Sequence, residues 1–198
     1  MTAQEKFDEL LRDGVWPFLR ERDFKRTKAT FHRAVGDNWQ VVNLQKSAWS
    51  DRDSAKFTVN LAVALDRLRD GLHDWGEGKR PPHARCHLQE RLGFLLRDDE
   101  DVWWDIDPHT DVASLADTVN TALEQYAFPW LEARSTDDAL LALMRSDDAL
   151  HSEYDHHLHW FEQLAAQLGE EDLVRRVVAE RERKEAELEE RRRLEDAG

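Results

Sequence analysis

Asn38–Ser47, NWQVVNLQKS, and Lys56–Leu65, KFTVNLAVAL, are two runs rich in β-branched and aromatic residues, set apart by the turn-like cluster Ser50 to Ser54. In the second run Phe57, Val59, Leu61 and Val63 alternate with Thr58, Asn60, Ala62 and Ala64, the period of a strand. The first set makes a core face. The second is small and polar, and is expected to stay open to water or to be covered lightly. Upstream, KATFHRAV (28–35) ends at the turn signal Gly36-Asp37-Asn38, so three strands with short connections read as an antiparallel meander. Downstream, CHLQERLGFLL (86–96) reads as a fourth strand and DVWWDI (101–106) as a fifth, with the charged stretch Arg97 to Asp101 between them.

Helical periodicity brackets these strands. Phe7, Leu10, Leu11, Val15, Phe18 and Leu19 form one apolar stripe, within which Pro17 predicts a kink or a second short helix. Leu115, Val119, Leu123, Tyr126 and Trp130 form another, capped by Asp111 or Ser114 and ended or bent at Pro129. Residues 66 to 85, with Gly71, Gly76, Gly78 and Pro81-Pro82, read as a short helix and then a loop. Beyond residue 135 the pattern is helical. DDALLALM (137–144) is amphipathic with Asp137 or Asp138 as cap, and Tyr154, Leu158, Phe161, Ala165 and Leu168 make a stripe closed by Gly169. The final segment offers Leu173, Val174, Val177 and Val178 to a core. It has i,i+4 pairs such as Glu180–Lys184 and no sustained heptad, and its end is expected to fray. The expected fold class is α+β: an antiparallel sheet of about five strands flanked by helices, with a helical C-terminal extension. The boundary falls between an α+β domain at 1–135 and the extension at 136–198.

The chain has 198 residues, of which 40% are apolar, enough for a core. Its 28 basic against 42 acidic residues leave a charge of −14. That balance repels phosphate backbones and argues against nucleic acid, while steering a basic partner inward. The lone Cys86 fits a reducing cytosol, and no leader-like or membrane-spanning apolar run is found, so a cytoplasmic protein without a membrane partner is expected.

The succession DFKRTKATFHR, WQVVNLQKS, FTVNLAVAL, CHLQERLG, DVWWDI and FPWL, led by a helix, resembles a bacterial family known as domain of unknown function 4304, over roughly residues 5 to 135. That family has a similar helix before a GF-K-(K/R) start to its sheet, then (I/V)-N-x-Q-K-S, F-T-V-N-L, R-(L/I)-G and W-W strands. Asp23 stands where its glycine is usual. The resemblance implies an α+β fold; it brings no activity, cofactor or catalytic residue.

Asn43, Gln45 and Lys46, with Asn60 on the neighbouring strand, are the most suggestive polar residues, because amides in strand interiors are costly if buried without partners. They either line a polar groove on the open sheet face or satisfy backbone groups at a bulge or under a crossing loop. Arg91 joins them, or is a structural ion-pair partner. Adjacent Trp103 and Trp104 must point to opposite faces, one into the core and the other to the second side, as a recognition anchor or under the C-terminal helices. Asp148, His151 and Asp155 share helical spacing suited to a transition metal, against which stands a solvated helix start. Cys86 between Arg85 and His87 is a core residue rather than a nucleophile, since His87 points away from it in a strand. There is no phosphate-binding glycine loop, dinucleotide fingerprint or serine elbow, and no cofactor is expected. The leading expectation is a non-enzymatic factor of the immunity or antitoxin kind for a basic protein. The alternatives are a small-molecule or enzymatic site in the polar groove, and an assembly module working through the C-terminal helices.

Overall fold

In the computed structural model, residues 1–97 and 100–196 are described. The chain divides into two compact units, Met1–Ser135 and Thr136–Gly198. The first is α+β. Its strands are β1 (Lys25–Thr27), β2 (Thr30–Val35), β3 (Asn38–Lys46), β4 (Ala55–Ala64), β5 (Leu88–Arg91) and β6 (Trp104–Ile106). Among the described residues they make one six-stranded antiparallel sheet in the order β1-β2-β3-β4-β5, with β6 pairing β4 beyond the end of β5. The expected three-strand meander therefore begins one strand earlier, at the short β1. The expected fourth strand is cut to Leu88–Arg91, because Leu92–Leu96 turns into a helix, α2.

The core lies on the sheet face formed by Phe31, Val42, Leu44, Phe57, Val59, Leu61 and Val63, all buried. Helix α1 runs through Ala3–Glu9, a π-helical turn Leu10–Val15, and Trp16–Arg20. Helix α3 repeats that plan with Val112–Ala122, the π turn Leu123–Ala127, and Phe128–Glu132. Pro17, expected to mark a kink or a second short helix, stands at the start of the short piece Trp16–Arg20, and Pro129, expected to end or bend its helix, at the start of Phe128–Glu132, each directly after a π turn. A helical proline lacks an N–H and its ring strikes the carbonyl four residues back. Each π turn answers this by shifting one register: Trp16 N–H reaches Leu11 O and Phe128 N–H reaches Leu123 O, five residues back, just before Pro17 and Pro129. At their crossing Gly14 is required, since a Cβ there would lie 2.5 Å from Ala116 Cβ. Phe7 meets Phe57 edge-on at 5.5 Å, and Trp16 stacks on Phe31 at 6.1 Å. Asp111 caps α3 by accepting from the Ala113 and Ser114 amides.

Residues 66–86, expected as a short helix and loop, contain three 3₁₀ turns and lie across the second face of the sheet. Trp75 and Cys86 pack there on Val41, Ala62 and Ala64, beside Trp39. Of the two expectations for this face, open or lightly covered, the part around Val41, Ala62 and Ala64 meets the second, because alanines leave room for an indole to seat.

The second unit comprises α4 (Asp137–Arg145), α5 (Asp147–Ser152), α6 (Asp155–Gln167) and α7 (Glu171–Asp196). Thr136, not Asp137 or Asp138, caps α4. Leu158, Phe161, Leu164, Ala165, Leu173 and Val177 form its core, and Glu153 binds His157 inside it, Oε2 to Nδ1 2.6 Å. Helix α7 reaches Asp196, with Arg183–Glu187 and Glu189–Arg193 pairs along its exposed part.

Candidate functional site

Strand registry sorts the suggestive residues by face. Thr30 lies opposite Asn43, Asn43 opposite Asn60, and Asn60 opposite Arg91, so these four form one row across β2, β3, β4 and β5. Directly opposed residues in an antiparallel pair share a face. The row lies on the second face. It borders the half covered by residues 66–86, and Gln45 opposite Thr58 begins the open half. The amides bond to one another more than to backbone. Asn60 Nδ2 donates to Gln45 Oε1 at 2.8 Å and to Asn43 Oδ1 at 3.3 Å. Asn43 Nδ2 donates to Thr30 Oγ1 at 2.8 Å and more weakly to Ala29 O at 3.4 Å. Such mutual satisfaction lets Asn60 be buried without an unpaired amide.

Lys46 is not part of this group. One residue along from Gln45, it points to the core face, where its ammonium donates to Gln4 Oε1 and lies 5.6 Å from the Phe7 ring centroid. The Trp pair divides as strand alternation requires. Trp104 is on the core face, stacked on Phe57 at 5.5 Å, and Trp103 is half-buried on the other side.

Arg91 and Trp103 meet at Asp101, which lay unnoticed in a stretch read as a separator. Arg91 Nη1 and Trp103 Nε1 both donate to Asp101 Oδ2, the latter at 2.7 Å, and the Arg91 guanidinium lies 5.4 Å from the Trp103 ring centroid. Gly93 completes the clasp: a Cβ there would lie 2.5 Å from Val102 N and 2.7 Å from Asp101 Oδ1. The Arg-Leu-Gly and Trp-Trp motifs are thus one structural joint, tying the start of α2 to the strand leading into β6. Arg91 is a structural ion-pair partner.

Beside this joint is a depression of about 400 Å³ lined by Ser47, Lys56, Asp101 and Trp103. Thr58, two residues from Lys56 on the same face, is fully buried, and its hydroxyl has no hydrogen-bond partner among the described residues. Trp49, whose backbone N–H donates to Ser47 Oγ at 3.2 Å, is 95% exposed. Nothing in the strand pattern marks Thr58 or Trp49; only burial does.

With that geometry, the polar positions Asn43, Gln45, Ser47, Thr58, Asn60, Arg91 and Trp103 fall on one face. The profile of the family described as Domain of unknown function (DUF4304) matches residues 12–133. The chain belongs to this family. No curated protein and no solved structure matches it. In the DUF4304 unit Asp23 has φ +64°, the left-handed region that favours glycine.

The remaining candidates separate. Asp148 and His151 lie on α5 while Asp155 starts α6, so the helical register that would have joined them is broken at Glu153 and Tyr154. Among the described residues no group of three or more His, Cys, Asp or Glu is arranged to hold a metal. His151 Nδ1 instead lies 2.7 Å from Glu180 Oε2, and Glu180's carboxyl is held below its ordinary range first by Arg183. Cys86 is fully buried and burial pushes its thiol up, which disfavours the thiolate. Among the described residues no helix is long and apolar enough to cross a membrane.

Proposed function

We infer that this chain is a non-enzymatic binding factor of the bacterial cytoplasm, of the immunity or antitoxin kind, which takes a basic protein on the open half of the second sheet face. The observation that carries this reading is Trp49, 95% exposed two residues after Ser47, which lines the depression with Lys56, Asp101 and Trp103. An indole is costly to leave in water and is enriched among interface anchors. Among the described residues the ionic groups at the depression are paired, Asp101 with Arg91 and Lys56 with Asp105 at 3.3 Å, which suits recognition better than acid–base chemistry. The charge favours a basic partner, and it is uneven. Residues 1–135 hold 19 Lys and Arg against 24 Asp and Glu, a net of −5, while residues 136–198 hold 9 against 18, a net of −9. Long-range attraction therefore comes mainly from the helical unit, and short-range fit from the sheet.

A second reading is supported by the Thr58 hydroxyl, which lacks a partner where the amide row ends: a small polar molecule in the depression. One experiment addresses both. The tagged chain, incubated with lysate of its native host, is expected to retain a protein of basic isoelectric point, and Trp49→Ala is expected to lose it. Recovery of no protein, or equal recovery by the variant, defeats the leading reading. A metabolite released on denaturing the wild-type chain but not Thr58→Val supports the second.

A further inference from the structure

Four of the nine histidines, His32, His73, His83 and His87, are within or against the segment that covers the apolar half of the second sheet face. That segment, residues 66–86, is irregular apart from its 3₁₀ turns, and imidazoles make several of its joints. Leu65 N–H donates to His87 Nδ1 at 3.0 Å, and His87 Nε2 donates to Leu68 O at 3.1 Å. His32, on β2, donates from Nε2 to Pro81 O at 3.0 Å. His73 donates from Nδ1 to Arg85 O at 3.1 Å, and its ring stacks on that of His87 at 4.7 Å. His83 has a buried Nε2 with no hydrogen-bond partner among the described residues.

The His87 arrangement exists only for the neutral ring. Its Nδ1 must offer a lone pair to the Leu65 amide, so a proton there would set N–H against N–H. We propose that residues 66–86 are an acid-released cover, which closes the apolar half of the second sheet face at neutral pH and lifts from it when its histidines protonate, the rest of the sheet unit staying folded. Release uncovers Trp39, Val41, Ala62 and Ala64, next to the Thr30–Asn43–Asn60–Arg91 row. This device stands apart from the binding reading above and does not require it.

The surroundings act in the same direction. Burial is the largest influence on His87 and holds it down at about 4; His73 pushes the same way, and Asp70 and the Leu68 carbonyl push against it. His32 is lowered first by burial and further by Arg80, against the carbonyls of Pro81 and Lys25. His83 is lowered by burial and by Arg91, against the Leu61 backbone. The closed cover refuses protons that the open one accepts, so acid favours opening. An open ring titrating near 6.5 and a closed one near 4 make His87 alone favour opening roughly 30-fold more at pH 5 than at pH 7.5.

Cys86, the single cysteine, closes the cover and is fully buried against the sheet, so its exposure reports on release. The full chain is treated with 4,4′-dithiodipyridine from pH 7.5 to 5.0, each rate divided by that of the urea-unfolded chain at the same pH. Far-UV circular dichroism is followed in parallel. Protection of Cys86 is expected to fall by roughly 30-fold or more with the dichroism unchanged, and His87→Gln is expected to flatten the dependence. Constant protection, or loss only in step with the dichroism, overturns the proposal. Should His87→Gln not fold, amide hydrogen exchange of the wild-type chain decides. Residues 66–86, corrected for intrinsic rates, must loosen at pH 5 relative to β3 and β4, and equal protection of both overturns it.

Discussion

Replacing Asp23 by glycine should stabilise the sheet unit, and the size of the effect follows from how α1 ends. Asp23 N–H bonds Arg20 O at 3.1 Å and Phe24 N–H bonds Leu19 O at 3.1 Å, the paired pattern of a Schellman close, with Phe24 and Leu19 both buried. That pattern places Asp23 at φ +64°. Left-handed backbone costs an ordinary L-residue about 1–2 kcal/mol, somewhat less for Asp. Glycine removes that strain and returns part of the gain as greater freedom in the unfolded chain, about 0.5–1 kcal/mol. It also gives up the attraction of Asp23 for the Arg33 guanidinium, an exposed and minor contribution. The net expectation for Asp23→Gly is a gain of about 0.5–1 kcal/mol, or roughly 2 °C in Tm for a chain of this length. Urea unfolding of a series checks the reasoning: Gly should exceed Asp, Asn should match Asp, and Ala should fall below. A glycine variant less stable than the parent, or an alanine variant equal to glycine, would show that the turn does not hold this backbone.

Other consequences are equally open to measurement. Gly14→Ala should cost about 1–3 kcal/mol through collision with Ala116, and Ala116→Gly in the same chain should recover much of it in a double-mutant cycle. Arg91→Met should cost about 1–3 kcal/mol in urea unfolding and alter the near-UV spectrum of Trp103, because Asp101 loses its cation while keeping the indole. Thr58→Val should be neutral or stabilising by up to about 1 kcal/mol, since the hydroxyl it removes is buried without a partner; a clear loss would mean that hydroxyl is satisfied in solution. Global stability should fall as pH drops from about 6.5 to about 4, by about 3 kcal/mol from His87 alone. The sign follows from the unfolded chain binding the proton that the buried, doubly bonded imidazole excludes. Flat stability across that window would contradict it.

Periodicity in the chain was enough to determine the α+β class, the pairing of the 38–47 and 56–65 runs and the opposed faces of Trp103 and Trp104, and it narrowed the α3 cap to Asp111 or Ser114. Each depends on residues close in sequence, where strand alternation and capping chemistry act directly. Kinship with DUF4304 was legible for the same reason, since its motifs are local strings in a fixed order. At Pro17 and Pro129 residue types mark a change in the helical pattern, but not the widened π turn by which the chain passes from one helical piece to the next. Arg91 and Asp101 come together only when α2 and the start of β6 converge over Gly93. The face expected to be open or lightly covered is covered over one part because residues 66–86, which carry no period, find a seat for Trp75 and Cys86 on Ala62 and Ala64. Those alanines and the Asn43–Asn60 pair could be assigned to one side of a strand by sequence alone. What lies above that side, whether water or a histidine-pinned cover, is set by contacts between residues distant in the chain, and only the tertiary structure decides it.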